Sequence, residues 1–328
     1  MPQAVTNRRV RRKAAALLAP QSGKGVLVDN FPAASAERLW SRELNVAIDD
    51  PKSLPGPWMT ELETEGEGAR YSIMERTAGK ALVMATPKSV EYLLRSNWGP
   101  YGAGVLSLAS QVSEYFTLAW IEDVASGSPQ NLVRAQDAWF HRVVIRATRS
   151  SARVVLDALY EGRTGRVDPL NALPGGVVLP ASPMPPSDLR VFSARKAEII
   201  REPTGANISL LYENLEVILD QGVIAEWTMT DKWDVRKGGK TYCFVRFEGM
   251  ASDETWQMLS DNRTGTKRRF RFQAVTNEAP LVTLTVDVFA IDFEIEPIGH
   301  AEPGWILFRA FGRATKTDTG QFASITLA

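Results

Sequence analysis

Between Lys267 and Ala274 the chain alternates strictly, with Arg268, Phe270, Phe272 and Ala274 on one side and Lys267, Arg269, Arg271 and Gln273 on the other. The same period of two returns where Phe289, Ile291, Phe293 and Ile295 oppose Ala290, Asp292, Glu294 and Glu296. A period of two is a strand with one packed and one wet face, and one-sided alternation points to antiparallel sheets. The pattern predicts strands over 80–85, 115–122, 138–148 and 152–161 in the first half. In the second half it predicts them over 241–250, 267–275, 280–296 and 305–315.

Helical spacing occurs twice. After Thr86 as N-cap and Pro87 in the first helical position, Val90, Leu93 and Leu94 recur three and four apart, and Asn97, Trp98 and Gly99 close the element. In the second half Ser252 caps, Asp253 and Glu254 fill the first turn, Trp256 and Leu259 supply the apolar face and Gly265 ends it. Met84-Ala85-Thr86 and Met250-Ala251-Ser252 open both helices alike, so that Leu93 falls on Leu259 and Val90 on Trp256. Between the halves lies DPLNALPGGVVLPASPMPPSD, residues 168–188, whose prolines and paired glycines admit neither helix nor central strand. The same order of elements on either side of such a linker is a repeat signal. The predicted fold is mainly β: a basic arm (1–25), two tandem β-sandwich or barrel modules (26–167 and 189–328), each with one flanking α-helix, and the linker 168–188.

Composition is that of an ordinary globular chain, with 44% hydrophobic and 23% charged residues in 328, and each half is long enough for its own core. The formal net charge is zero, so nothing global draws the protein to nucleic acid or an acidic membrane, and little self-repulsion opposes close assembly. The single cysteine, Cys243, lies in the apolar run Tyr242-Cys243-Phe244-Val245; it reads as a buried, inert thiol in a reducing compartment. Ala14–Leu18 is too short for a signal-peptide core, and no segment approaches the ~18 apolar residues of a membrane helix, so a cytoplasmic origin without membrane contact is expected.

Positive signs of catalysis are lacking in the sequence. His141 reads as a core or interface residue of a strand, and His300 as a solvated residue of the turn Pro297-Ile298-Gly299-His300. Two histidines and one cysteine this far apart have no recognisable metal-site spacing. Gly238-Gly239-Lys240-Thr241 imitates the end of a phosphate loop, but Asp234 stands where the first glycine belongs and a strand, not a helix, follows at Tyr242. The expectation is a non-enzyme with no cofactor and no metal.

At this point the chain resembles a family, the long two-module tail tube proteins (major tail proteins) of long-tailed bacteriophages. The residues that carry the likeness begin with Leu39-Trp40-Ser41-Arg42-Glu43-Leu44 and the acidic stretch from Thr60 to Gly68. They continue with Ser89–Leu94, Tyr115–Trp120, Leu215–Gly222, Val245–Glu248, Thr255–Leu259 and Arg269–Phe272. The likeness lies in the order of elements, over nearly the whole chain beyond the first 25 residues and the linker. The arginine-rich arm and the long linker depart from the family pattern. What the resemblance implies is a structural virion protein of a siphovirus-type tail, made in the host bacterial cytoplasm. Its inner strands would join neighbouring modules into a ring-shaped sheet, three chains giving six modules, and rings would stack into a channel for genome ejection. Implied partners are further copies of itself, the tape measure, tail terminator and distal tail proteins, and double-stranded DNA in transit without specific binding. A distal tail, tail-tip or terminator ring protein uses the same module, and a carbohydrate- or ligand-binding β-sandwich with surface tryptophans is the reading from another class.

Three groups of residues are candidates on this reading. Asp292, Glu294 and Glu296 are expected to face the channel, where carboxylates repel phosphate, or else to be a plain solvated face. Asp49, Asp50, Glu61, Glu63, Glu65 and Glu67 sit in a long excursion, residues 47–70, expected to reach the next ring. Arg8, Arg9, Arg11, Arg12 and Lys13 form an assembly arm, a solvated tail or, least favoured, a nucleic-acid arm.

Overall fold

The computed structural model describes residues 16–48, 53–54, 71–72, 76–109, 112, 114–122, 131–180, 189–201, 205–228, 232–237, 240–250, 257–258, 260–261, 263–302, 305–317 and 321–328. Within them the chain is mainly antiparallel β with one complete α-helix and a short 3-10 turn at Leu170–Ala172.

The first half holds β1 (Ala16–Pro20), β2 (Glu37–Leu39), β3 (Ser41–Ile48), β4 (Ser53–Leu54), β5 (Tyr71–Ser72) and β6 (Arg76–Met84). Helix α1 (Pro87–Asn97) follows, then β7 (Tyr101–Gly102), β8 (Val105–Leu106), β9 (Phe116–Glu122), β10 (Asn131–Thr148) and β11 (Val154–Pro169). The second half holds β12 (Phe192–Ile200), β13 (Ile208–Ser209), β14 (Tyr212–Asp220), β15 (Val223–Thr228), β16 (Lys232–Lys237) and β17 (Tyr242–Met250). Residues 257, 258, 260, 261 and 263 are helical. Strands β18 (Arg268–Thr276), β19 (Thr283–Glu302), β20 (Trp305–Ala314) and β21 (Ala323–Leu327) complete the chain.

Helix α1 forms where its local chemistry says it should. The Thr86 N–H donates to Ser89 Oγ at 2.9 Å and the Ser89 N–H to Thr86 Oγ1 at 3.3 Å, a reciprocal cap over the first turn, with Pro87 at its start. Val90, Leu93 and Leu94 are fully buried, each burial stabilising by about 1.5–3 kcal/mol. The helix docks on β10 through Trp139 Nε1, which donates to Ser96 O at 2.8 Å, and Asn97 Nδ2, which donates to Phe140 O at 3.0 Å.

Eight strands form one continuous antiparallel sheet in the order β3-β6-β11-β10-β14-β17-β20-β19. It crosses from the first half to the second through a ladder of seven residue pairs, Arg142↔Asp220 to Thr148↔Asn214. The pairings of the first half, β3·β6, β6·β11, β11·β10, β10·β9, β9·β1 and β1·β2, recur in the second. There they are β14·β17, β17·β20, β20·β19, β19·β18, β18·β12 and β12·β13. Both long strands also bend at the same place. Asp137 in β10 has φ 53° and Ala290 in β19 has φ 45°, an unpaired residue in the left-handed region that redirects the strand from one layer into the other. The second layer is β2-β1-β9 on the early part of β10, and β13-β12-β18 on the early part of β19, where β21 and β8 add to the far side. Although each half is long enough for a core of its own, most of their buried side chains form one contiguous cluster. It runs from Leu18, Val90 and Phe116 through Val143 and Leu219 to Phe247, Phe270 and Phe293.

Several expectations change. Strand β10 begins at Asn131, not 138, although NLVRAQDA breaks the alternation with Arg134, Gln136 and Asp137. Arg134 is fully buried because it ion-pairs with Asp29 and, at 2.6 Å, with Asp168. Strand β11 runs on through Gly162 to Pro169, so the linker begins inside a strand. Leu170, Leu173, Val177 and Leu179 then pack over Leu17, Ala19 and Phe31, making residues 170–179 a strap and not a free tether. Residues 16–20 of the expected arm are the buried strand β1. His300 lies in β19 opposite Ile306, because pairing persists through Pro297 as far as Glu302↔Trp305. The left-handed residue Ala290 reverses the parity of β19: Val286 and Val288 are buried before it and Ile291 and Phe293 after it, so Phe289 does not share their face.

Candidate functional site

Among the described residues the most extended features are one sheet face and two sheet edges. Register decides which side chains share the face. Asp292, Glu294 and Glu296 of β19 stand opposite Arg313, Phe311 and Arg309 of β20, which stand opposite Phe244, Arg246 and Glu248 of β17. Next come Ile218, Glu216 and Asn214 of β14, then Val144, Arg146 and Thr148 of β10. The face is a mosaic of paired charges. Arg309 Nε donates to Glu248 Oε1 at 2.9 Å; Arg146 reaches Glu216 at 3.1 Å across the seam and Asp157 at 2.9 Å, which Lys80 also meets at 3.1 Å. Hydrogen bonds from the Asn214 amide and then the Arg309 guanidinium hold the Glu248 carboxyl below the usual glutamate range. Among the charges lies an aromatic row. Tyr242 stacks on Phe244 at 5.8 Å and Phe244 on the exposed Phe311 at 5.3 Å, with the Arg313 guanidinium 5.5 Å over Tyr242.

The three carboxylates expected to line a channel do share one face, with two arginines directly opposite them. Lys267, Arg269 and Arg271 belong to the other layer. Arg269 and Arg271 both pair with Asp287, the latter at 2.8 Å, and Lys267 Nζ donates to Thr315 Oγ1 at 3.0 Å. Asp49, Asp50, Glu61, Glu63, Glu65, Glu67 and the arm residues Arg8, Arg9, Arg11, Arg12 and Lys13 lie outside the described residues, as do Ser252 to Trp256 and Leu259. The strands that bound the excursion are described: β4 and β5 continue the register of β3 and β6 as a separate two-stranded ribbon, Ser53↔Ser72 and Leu54↔Tyr71. Strands β15 and β16 form the matching ribbon after β14, from Val223↔Lys237 to Thr228↔Lys232, a feature the sequence reading missed.

The edges were also missed, because alternation reports a strand's faces and not its neighbours. Among the described residues, β3 pairs only with β6, and β19 beyond Ile291 pairs only with β20. Each presents a row of main-chain donors and acceptors to whatever lies beside it. The ring of the half-buried His141 lies 6.0 Å from that of Trp139. Burial pushes the Cys243 thiol up to about 12, far from thiolate chemistry. Among the described residues no group of three or more His, Cys, Asp or Glu is placed to hold a metal, and no helix is long and apolar enough to cross a membrane. The sequence matches no protein-family model and no curated protein.

Proposed function

We propose that this chain is a structural virion protein, the subunit of a phage tail tube, with two tandem β-sandwich modules that assemble into stacked rings. The observation that carries the reading is the sheet that passes from one half to the other through β10·β14, with six pairings in the same order on each side and, among the described residues, an open edge at each end. A module that occurs twice in one chain and hands its sheet to its copy is built to continue into further copies, and three chains of two modules make a ring of six. The mosaic face then lines the channel, slightly acidic and self-paired, so that double-stranded DNA passes without being held. The ribbons β4·β5 and β15·β16 continue past the sheet and reach toward the next ring, the first carrying the acidic stretch 47–70. The arm, residues 1–15, with Arg8, Arg9, Arg11, Arg12 and Lys13, straps a neighbouring subunit. The chain catalyses nothing and needs no cofactor; its partners are other copies and the tape measure, terminator and distal tail proteins of the same virion.

Negative-stain electron microscopy of the purified protein tests this. Tubes support the reading, isolated rings redirect it to a distal tail, tail-tip or terminator ring, and monomers at every concentration overturn it.

A further inference from the structure

We infer that each copy adds its β3 to the open edge of β19 in the next copy, in a register already written in the seam within the chain; the inference rests on the ring reading above. The register follows from four correspondences. Strand β17, Tyr242–Met250, is β6, Arg76–Met84, displaced by 166 positions. Leu219 and Ile218 of β14 lie opposite Cys243 and Phe244, as Ile48 and Ala47 of β3 lie opposite Thr77 and Ala78. Ala158 and Asp157 of β11 lie opposite Ala81 and Leu82, as Ala310 and Arg309 of β20 lie opposite Phe247 and Glu248. Val143 and Val144 of β10 face that same Ala158 and Asp157, as Ile295 and Glu296 of β19 face Ala310 and Arg309. Within the chain Val143 pairs with Leu219 and Val144 with Ile218. Between copies, therefore, Ile295 pairs with Ile48 and Glu296 with Ala47.

The charges on the two edges point to the same partner. The open stretch of β19 carries Asp292, Glu294, Glu296, Pro297 and Glu302. Two such edges laid antiparallel would set carboxylates against carboxylates, so β19 is guarded against another β19. Strand β3 carries one acid, Glu43, beside Arg42, and from Leu44 to Ile48 no charge at all, so β19 from Ile295 onward meets an uncharged stretch and, of its acids, only Glu294 would come opposite another, Asp49, just past the end of β3. Two different edges make a heterologous contact, the kind that closes into a ring. The two kinds of junction are unequal. The seam within the chain has Arg146 on Glu216 and is further tied by β8 against β21, Leu106 opposite Ile325. The junction between copies sets Glu296 against an alanine. Rings should therefore part between chains, never within one.

Disulfide trapping tests the register. The chain's own Cys243 is buried and can stay. Opposite residues of an antiparallel pair lie within disulfide reach, whereas residues one same-face step away are too far apart. The double variant Glu296→Cys/Ala47→Cys, mildly oxidised under assembly conditions, should give covalent closed oligomers on a non-reducing gel. The offset variant Glu296→Cys/Asn45→Cys should give several-fold less, and Val144→Cys/Ile218→Cys should close within single chains as the internal standard. Rings visible by microscopy that trap the offset pair better, or that trap neither pair, would overturn the register and leave the ring reading standing. Absence of both rings and cross-links would overturn both.

Discussion

Arg134 is the residue whose loss should be felt most widely for one side chain. It lies in β10 with a fully buried side chain, and its guanidinium holds Asp29, in the loop before β2, and Asp168, at the end of β11. It therefore ties three separate pieces of chain together on the side of the molecule where the strap 170–179 packs. Removing one member of a buried pair costs about 3–5 kcal/mol, because the partner is left desolvated and uncompensated. Here the two partners differ: Asp168 is 14% exposed and Asp29 52%, so water rescues Asp29 and the lower end of the range applies to Arg134→Ala. At about 2.1 cal/mol/K of unfolding entropy per residue, about 3 kcal/mol over 328 residues lowers Tm by about 4 °C if the chain melts as one unit. Calorimetry measures that, and limited proteolysis supplies the local readout, since a loosened clamp should expose residues 170–188 to cleavage well below Tm. The double variant Arg134→Met/Asp168→Asn, which removes the orphaned charge along with its partner, should recover part of the loss. An Arg134→Ala protein that melts within about 1 °C of the parent, with an unchanged cleavage pattern, would refute the reasoning.

Three further outcomes are expected. A Cβ on Gly249 would lie 2.3 Å from the Leu211 carbonyl oxygen, so Gly249→Ala should cost about 1–3 kcal/mol in a urea titration. Gly175→Ala, with nothing within 4 Å, should be close to neutral; equal effects would show that crowding is not the cause. Asp261 is held below the usual aspartate range, first by the hydrogen bond from Arg268, and Glu248 is held low by Asn214 and Arg309. Lowered values in the folded state mean that both groups stabilise fully above their unfolded pKa values, about 3.9 and 4.3, and lose that contribution as pH falls through the folded ones. Unfolding midpoints should accordingly fall below about pH 4, less steeply in Asp261→Asn, and midpoints that rise on acidification would contradict this. Finally, replacing residues 49–70 by a short turn should give rings that do not stack, as seen by microscopy; tubes of normal length from the shortened chain would remove the ribbon from the stacking mechanism.

Legibility in the sequence tracked whether the determining contacts were local. The start of helix α1 was readable to the residue because its cap, first proline and apolar spacing all lie within a dozen positions. The alternation of β18 was equally plain, with Phe270, Phe272 and Ala274 buried as expected. The early part of β10 was not, since Arg134 is hidden only by carboxylates from Asp29 and Asp168, one of them over a hundred positions away. Nor was the bend at Ala290, where an alanine adopts a conformation more usual for glycine because the paired strands on both sides hold it there. The spacing of 166 between β6 and β17 was legible in the sequence, but the seam β10·β14 depends on which strand edge meets which, and no periodicity encodes that.

The acids of β19 illustrate how placement changes a physical role. Read from the sequence alone, Asp292, Glu294 and Glu296 suggest a wall that keeps DNA off the channel surface. On the folded sheet they stand on a face whose other charges largely cancel, with Arg313 and Arg309 opposite two of them. A unit charge 15 Å from a phosphate in water contributes about 0.3 kcal/mol before screening, and screening over a length of about 8 Å at 0.15 M salt cuts this to about 0.04 kcal/mol. Two carboxylates at the about 5 Å spacing of opposed strand residues repel by about 0.8 kcal/mol before screening, more than ten times as much after it, because little salt intervenes at that range. Several such contacts along the open stretch of β19 outweigh anything the same residues do at a distance. On the ring reading proposed above, their larger effect would thus be on which strand joins the edge, and only secondarily on what passes the face.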